Sequence, residues 1–568
     1  MKICFIWVQK FRNFENFGCN ISSSHKFHFD SEESQLISIK TNDLPLDFFG
    51  AQITDVIGII GKNGMGKSNA VELICKILKG GKNSLQTDFL IITEENNKFI
   101  CHYSFYNRKI PTANFNISIK EFEGSINPLK VVFFSNVFDE RRNGFDNEIA
   151  DISVNNLFRK NILLKKNDIS DFEKQIKFIN SKIFPLVNIE VPTKVQLTSK
   201  VWVNKFNASF EHQVYGKNYD IIKKFKRLFK MRLREIRPEN KFIHLTRFGF
   251  FFEIFYKYSR NRRYEDDPYI RFQNIGEFIQ NLSNLRTEEI SETLLEYLRQ
   301  EISNMTHQQL TLLFDENESD IENQFEKIFK QINFLQELKN NLSYIEFEYS
   351  SEGIRNRGLE YFIFDFQSKK SKNFINEFVN NFGPNSFFDI NWLGISSGHK
   401  AYLNIFSSLS QELKYTRQTN LFICIDEGDL YLHPMWQIEF FDKLLNVLPT
   451  IFSGKIQLVL TSHSPFLLSD LPKQNITILD KSFVNSSQDG IDLKTNTFGG
   501  NLYDLYSEPF FLENKRTSDF AYKKIKKLIE LVESKNLSIY DKADALKLSN
   551  IIGDDIIKFK IQKLLTND

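Results

Sequence analysis

Short apolar runs separated by turn-forming residues recur through the first hundred positions of the chain. "KICFIWV", "QLISIKT", "DVIGIIG", "FLIITEE" and "KFICHYSFY" each predict a strand. After "KVVFFSNVFDERRNG" the pattern changes. From Asp151 to Phe388 long segments mix apolar and charged residues at helical spacing, as in "SDFEKQIKFINSKIF" and "ESDIENQFEKIFKQINFLQELKNNL". Strand texture returns with "LFICIDE" and "KIQLVLTSH", and a helical tail follows. The pattern predicts an α/β fold of mixed and parallel sheets with helices, split by a large helical insertion. The boundaries fall at 1–150 for a first lobe, 151–388 for the insertion, 389–500 for a second lobe and 501–568 for the tail. A chain of 568 residues is too long for one core, which agrees with such a division. No internal repeat and no sustained heptad appears, so a long coiled coil is not expected.

The stretch "DVIGIIGKNGMGKSNAVELICKIL" reads as a buried strand, a glycine-rich turn and an amphipathic helix. The turn fits G-x-x-x-x-G-K-[ST] through Gly61, Lys62, Asn63, Gly64, Met65, Gly66, Lys67 and Ser68, with Asn69 next in the helix. Glycines let backbone N–H groups curl around phosphates, and the helix aims its positive end at them. Lys67 is placed to reach β- and γ-phosphates, and Ser68 to ligate Mg²⁺. The expected cofactors are therefore ATP and Mg²⁺.

"TNLFICIDEGDLYLHP" supplies an apolar strand ending in two carboxylates, Asp426 and Glu427. Adjacent acids can divide the work, with Asp426 in the Mg²⁺ shell and Glu427 orienting or deprotonating the attacking water. "IQLVLTSHSPF" reads as the next strand, ending at His463. That position makes His463 a candidate γ-phosphate contact, so Glu427 and His463 form the candidate catalytic pair. A second turn, "LGISSGHKAYLNIFSSL", places Ser396, Ser397 and Gly398 at a helix start, where an anion can be held. Tyr402, Ile405, Phe406, Leu409 and Leu413 make one apolar stripe on that helix.

Together these motifs resemble the ATP-binding-cassette ATPases, in the SMC-like branch that includes RecF-type and double-strand-break repair proteins. The resemblance implies a split ATPase head and identifies Ser396, Ser397 and Gly398 as the signature turn. Such a turn closes over the ATP held by Gly61 to Ser68 of a second copy, so a homodimer of heads is expected, with larger assemblies left open. His399 stands where the family usually has an acid or glutamine. Arg12 in "QKFRNF" matches the family's N-terminal arginine, although an exposed strand-end arginine reads the same way. The glutamine-loop position is left open.

"DEGDLYLHPMWQ" and "TFGGNLYDLYSEPFFLENKRTSDFAYKKIKKL" look like the compact AAA-type ATPases of bacterial anti-phage systems, in particular the ATPase subunit of Septu and Septu-like retron systems. That resemblance implies a sensor or regulator that controls a separate HNH nuclease. The rival is a RecF- or SMC-like repair clamp that binds DNA directly.

Charge and composition narrow the choice. Net charge is +2, so any nucleic-acid contact must come from a local patch. "IIKKFKRLFKMRLREIR" is a candidate patch within the insertion, with Ile221, Phe225, Leu228, Phe229 and Ile236 as its expected apolar face; a solvated helix face neutralised by acids elsewhere reads the same way. Lys523, Lys524, Lys526 and Lys527 in the tail flank Ala521, Ile525, Leu528, Ile529 and Val532, a face fit to pack on a core or a partner. Cys4, Cys19, Cys75, Cys101 and Cys424 are scattered without a CxxC, as in a reduced, cytoplasmic protein. No apolar run suits a signal peptide or a membrane span. After His463 no acidic metal cluster appears, no zinc-ligand set or nuclease motif is found, and the pair His25 and His28 reads as surface.

Overall fold

A seven-stranded sheet joins segments that lie hundreds of residues apart in the chain. The computed structural model describes residues 1–41, 44–81, 85–139, 143–157, 171–202, 218–260, 275–305, 321–351, 359–383, 387–480, 487–507, 518–533 and 539–566. The strands run in the order Ile149–Asp151, Leu129–Ser135, Asn420–Asp426, Lys455–Thr461, Ile53–Gly61, Ile476–Leu479 and Ser487–Asp489. All neighbours are parallel except the last pair, which is antiparallel.

Successive side chains of a strand point to opposite faces, and the two sides of this sheet are both dry. Ile57, Ile59, Val131, Phe133, Phe422 and Cys424 pack on one side with the helix Lys67–Lys79. Val56, Ile60, Val132, Phe134, Ile423 and Ile425 pack on the other, in the largest core. Burial on both faces is why these strands read as continuous apolar runs. In register, Ser135, Asp426 and Thr461 stand abreast at the carboxyl ends of three neighbouring strands.

The first residues form a second sheet, ordered Phe14–Asn20, Lys2–Phe11, Phe89–Glu95, Lys98–Ser104 and Ile117–Glu121. Every strand expected from the opening alternation is present. Gln457, buried in the central sheet, links the two sheets. Its Oε1 accepts from the Ile3 N–H at 2.8 Å, and its Nε2 donates to the carbonyls of Ile3 and Ile21 at 2.7 and 2.8 Å.

Between Asp151 and Phe388 the chain is not purely helical. Alongside helices such as Tyr219–Arg232, Pro238–Arg260, Thr287–Ser303 and Lys369–Phe382 there is a four-stranded antiparallel sheet. Its order is Phe347–Ser351, Glu360–Asp365, Lys194–Ser199 and Phe388–Leu393. Val195, Leu197, Phe362, Phe364 and Phe388 are buried in the same core as Phe242, Phe374 and Phe378. The expectation of a helical insertion misses this sheet: Lys194–Ser199 pairs only with strands far along the chain, whereas Phe347–Ser351 and Glu360–Asp365 are neighbours whose short alternation it overlooks.

The basic helix also differs from expectation. It ends at Arg232, and a single 3₁₀ turn, Leu233–Glu235, follows before Pro238 opens the next helix. The buried residues are Ile222, Phe225, Phe229 and Leu233. Several cations are engaged within the chain: Lys226 lies 4.6 Å from the Phe252 ring centre, Lys230 lies 5.5 Å from that of Trp202, and Arg232 donates to the carbonyls of Leu285 and Ser283. In the tail, Leu528 and Val532 pack with Ala545 and Ile561 from the helices Ile539–Asn550 and Asp555–Thr566, and with Ile552 between those helices. Among the described residues no helix is long and apolar enough to cross a membrane.

Gln457→Leu keeps the approximate volume but strands three buried backbone groups. Each such orphan costs about 1–3 kcal/mol. A lower urea midpoint with an unchanged denaturant slope is expected, and wild-type stability would rule out the tie.

Candidate nucleotide site

The phosphate loop follows the Ile53–Gly61 strand, and its glycines are required by contact as well as by conformation. A Cβ on Gly61 would lie 2.4 Å from the Leu479 carbonyl oxygen. Gly64 has φ 79° and Gly66 has φ 101°, in the region that favours glycine. Gly66 also packs under Asn13 and Phe14, where a Cβ would come within 2.6 and 2.9 Å. Lys67 begins the helix, as expected from the motif.

Around this loop the structure gathers the residues singled out in distant parts of the sequence. Ser68 Oγ donates to Asp426 Oδ1 at 3.1 Å. Lys67 Nζ donates to the Gly61 carbonyl at 3.0 Å and lies 3.3 Å from His463 Nδ1. His463 Nε2 is 2.8 Å from Glu427 Oε1. With Nδ1 accepting from the lysine ammonium, Nε2 carries the ring hydrogen and donates to Glu427, so the tautomer follows from the two partners.

Asp426 and Glu427 are adjacent but face different surroundings. Asp426 is buried, and burial raises its carboxyl pKa against the opposing pull of Thr461, Ser68 and Ser135. Its Oδ1 also accepts from Thr461 Oγ1 at 2.7 Å, and Oδ2 from Ser135 Oγ at 3.2 Å. Glu427 is lowered, chiefly by the hydrogen bond from His463. One acid is thus a fixed acceptor among hydroxyls, and its neighbour is kept as a ready carboxylate. Lys67 is lowered by burial, with Glu427 and Asp426 opposing the shift.

The strand containing Lys455 ends at Thr461, two residues before His463, rather than at the histidine. At its last pair, with Asp426, the Thr461 hydroxyl and carbonyl both accept from the Glu427 N–H, at 2.9 and 3.2 Å. Beyond it the chain leaves the sheet, and His463 lies beside Glu427.

Ser135, Thr461, Asn13 and Glu72 were not singled out in the sequence. The first two could have been suggested by a hydroxyl at the end of each strand flanking the acid strand. Arg12 does not stand as a free strand-end arginine. Its guanidinium meets both Glu72 oxygens at 2.7 Å and Asn69 Oδ1 at 2.9 Å, so it braces the phosphate-loop helix. Asn69 Nδ2 in turn donates to Asn13 Oδ1 at 2.5 Å.

The Ser396–Gly398 turn makes its contacts elsewhere. Ser396 caps the helix Ser397–Leu413 by accepting from the His399 N–H at 3.2 Å. Ser396 and Ser397 are exposed. Gly398 lies against Trp436, where a Cβ would come within 2.9 Å of the indole. Tyr402, Ile405, Phe406, Leu409 and Leu413 are all buried, as the apolar stripe predicts.

A family model described as an AAA ATPase domain matches residues 1–468. The chain belongs to this AAA ATPase family. Two relatives share short stretches with this AAA ATPase. A retron Vc95 probable ATPase of Vibrio cholerae serotype O1 biovar El Tor is 30% identical over 100 residues, covering 16% of this chain and 18% of that protein. The Septu protein PtuA of Bacillus thuringiensis is 32% identical over 83 residues, covering 13% of this chain and 20% of its own length. The matches therefore span about a fifth of each relative.

Removal of the His463 ring takes away the largest influence lowering Glu427. In His463→Ala the carboxyl pKa rises, and Glu427 must be deprotonated to act as a base. The acidic limb of the ATPase pH profile is expected to move to higher pH, with turnover at neutral pH down about 10²-fold. An unmoved acidic limb would separate His463 from Glu427.

Proposed function

We propose that this AAA ATPase is the ATP-binding and hydrolysing sensor of a bacterial anti-phage complex, controlling a separate effector nuclease of the HNH type through nucleotide-driven pairing of two heads. The observation that carries the reading is a pair of separate elements in one chain: Ser68, Lys67, Asp426, Glu427 and His463 gathered at the glycine-rich loop, and a capped Ser396–Gly398 turn with both serines exposed, whose contacts lie away from it. A turn that serves the ATP of a second copy accounts for both. The short similarities to a retron ATPase and to Septu PtuA support the choice of system.

In this reading the loop from Gly61 to Ser68, with Lys62, Asn63 and Met65 between the glycines, wraps the phosphates of ATP. Mg²⁺ fits Asp426 and Ser68, since a buried carboxylate facing a hydroxyl oxygen is the oxygen-only pair that this hard cation takes. When bound it supplies charge neutralisation at the β- and γ-phosphates. Glu427 accepts the proton of the attacking water or fixes its direction, and His463 holds that carboxylate in place and reaches the γ-phosphate. Ser396, Ser397 and Gly398 of the second copy close the site. Hydrolysis then separates the pair, because only contacts that differ between open and closed pairs shift the population.

The test uses Glu427→Gln expressed with its neighbouring genes and purified in ATP and Mg²⁺. A stable pair of heads carrying a stoichiometric small nuclease is expected, and Lys67→Ala should abolish pairing. A monomer in ATP refutes head pairing, and a pair that retains DNA without any nuclease favours the repair clamp. Parental turnover in Glu427→Gln would remove that residue from the catalytic role.

A further inference from the structure

Behind the Ser396–Gly398 turn, a cleft of about 600 Å³ lies between the shaft of that helix and two helices of the intervening stretch. Its walls come from the helices Asp171–Ile179, Lys369–Phe382 and Ser397–Leu413, closed at one end by Thr450 and Ile451. None of the nucleotide-site residues lines it.

Its chemistry is cationic and amide-rich. Lys174, Lys177 and Lys414 face Glu173 as the only acid among the lining residues. Lys174 pairs with Asp171 at 3.0 Å and Lys177 with Glu173 at 2.7 Å. Such neighbours on one helix contribute little to stability, so an incoming phosphate can compete for the ammonium groups. Asn180, Asn376, Asn380 and Gln411 add paired donors and acceptors. The buried Oδ1 of Asn376 has no hydrogen-bond partner among the described residues, and a buried acceptor left unmatched is costly. Ile183, Val379 and Ile451 give the cleft an apolar floor. Its volume lies within the roughly 300–1,000 Å³ range of small-molecule sites.

We propose that this cleft is a second ligand site, for a free nucleoside monophosphate, that regulates the ATPase through the helix bearing the Ser396–Gly398 turn. The lysines take the phosphate, the side-chain amides take the edge of the base or sugar, and the apolar floor takes the ring. Ser407, Ser410 and Gln411 of the cleft stand on the same helix as Ser397, about 15–21 Å along its axis at 1.5 Å per residue. That helix is joined to the cleft's far wall: Gln175 Nε2 donates to Asn404 Oδ1 at 2.6 Å, and Trp392 Nε1 donates to Gln175 Oε1 at 2.8 Å. A ligand that spreads or draws in these helices therefore acts on the turn's own support. The assignment of a ligand does not depend on pairing of heads.

The experiment titrates the full chain with AMP, GMP, CMP and UMP by calorimetry, with the phosphate loop already filled by a non-hydrolysable ATP analogue and Mg²⁺. At least one monophosphate should bind at one site per chain. A Lys174→Ala, Lys414→Ala double variant should weaken it at least tenfold, and Asn376→Leu should do so independently. No binding by any of the four, or binding that neither variant changes, overturns the site. A tenfold preference for a 5′-phosphorylated oligonucleotide overturns the free-nucleotide assignment. Wild-type ATP turnover should change at least twofold on addition of the bound monophosphate, and no change overturns the regulatory role. Failure of the heads to pair leaves the calorimetric result intact, so the two ideas fail separately.

Discussion

A buried carboxylate at the end of a central strand is the constraint around which this protein is arranged. Asp426 lies where water is excluded, and an unpartnered charge there would be expensive. Its three hydroxyl partners come from three separate parts of the chain: Ser135, Ser68 and Thr461. They can converge only if the strands Leu129–Ser135, Asn420–Asp426 and Lys455–Thr461 keep their parallel register and the phosphate-loop helix starts above them. A slip of one residue would turn Asp426 into an apolar core and separate it from both flanking hydroxyls. The register of the sheet and the chemistry of the site are therefore one requirement.

The next residue shows how the same strand end serves a second purpose. Glu427 has φ 48°, left-handed backbone that costs of order 1–3 kcal/mol for a residue with a side chain. The conformation is held by the two Thr461 acceptors on its N–H and by the close packing of Gly428, where a Cβ would lie 2.5 Å from Ile425. Without that reversal the alternation of the strand would continue, and the second acid would not meet His463. The strain separates the environments of two adjacent carboxylates, so that one is raised by burial and the other lowered by a hydrogen bond.

Elements whose signal is local were legible in the sequence. The strand before Gly61, the glycines of the turn, the paired acids and the apolar stripe from Tyr402 to Leu413 all follow from spacing within a few residues. What could not be read was what depends on distant pairing. Lys194–Ser199 finds its neighbours at Glu360–Asp365 and Phe388–Leu393, so nothing nearby marks it as a strand inside a helical stretch. Arg12 became a brace because Glu72 sits on the phosphate-loop helix, and Ser135 and Thr461 became site residues through sheet register. The basic helix misled in a different way. Its cations are plain in the sequence, but the aromatic rings and carbonyls that occupy several of them come from other elements.

The Ser396–Gly398 turn and the acid strand are mechanically joined, which bears on any role for the turn. The helix Pro434–Ile451 follows the acid strand through Gly428 and the cap His433. Its Trp436 supports Gly398, stacks on Tyr402 at 5.1 Å and accepts the Tyr402 hydroxyl at its carbonyl, 2.6 Å away. The turn's aim is thus set by the helix that grows out of the acid strand, while the far end of the turn's own helix leans on Asp171–Ile179 and the cleft beside it. Trp436 is the contact between the turn and the helix that follows Glu427. Asn404 and Gln175 join the turn's helix to the intervening helices. The turn's helix is thus held by aromatic packing near its start and by a partly buried amide pair near its middle, two supports drawn from different parts of the chain.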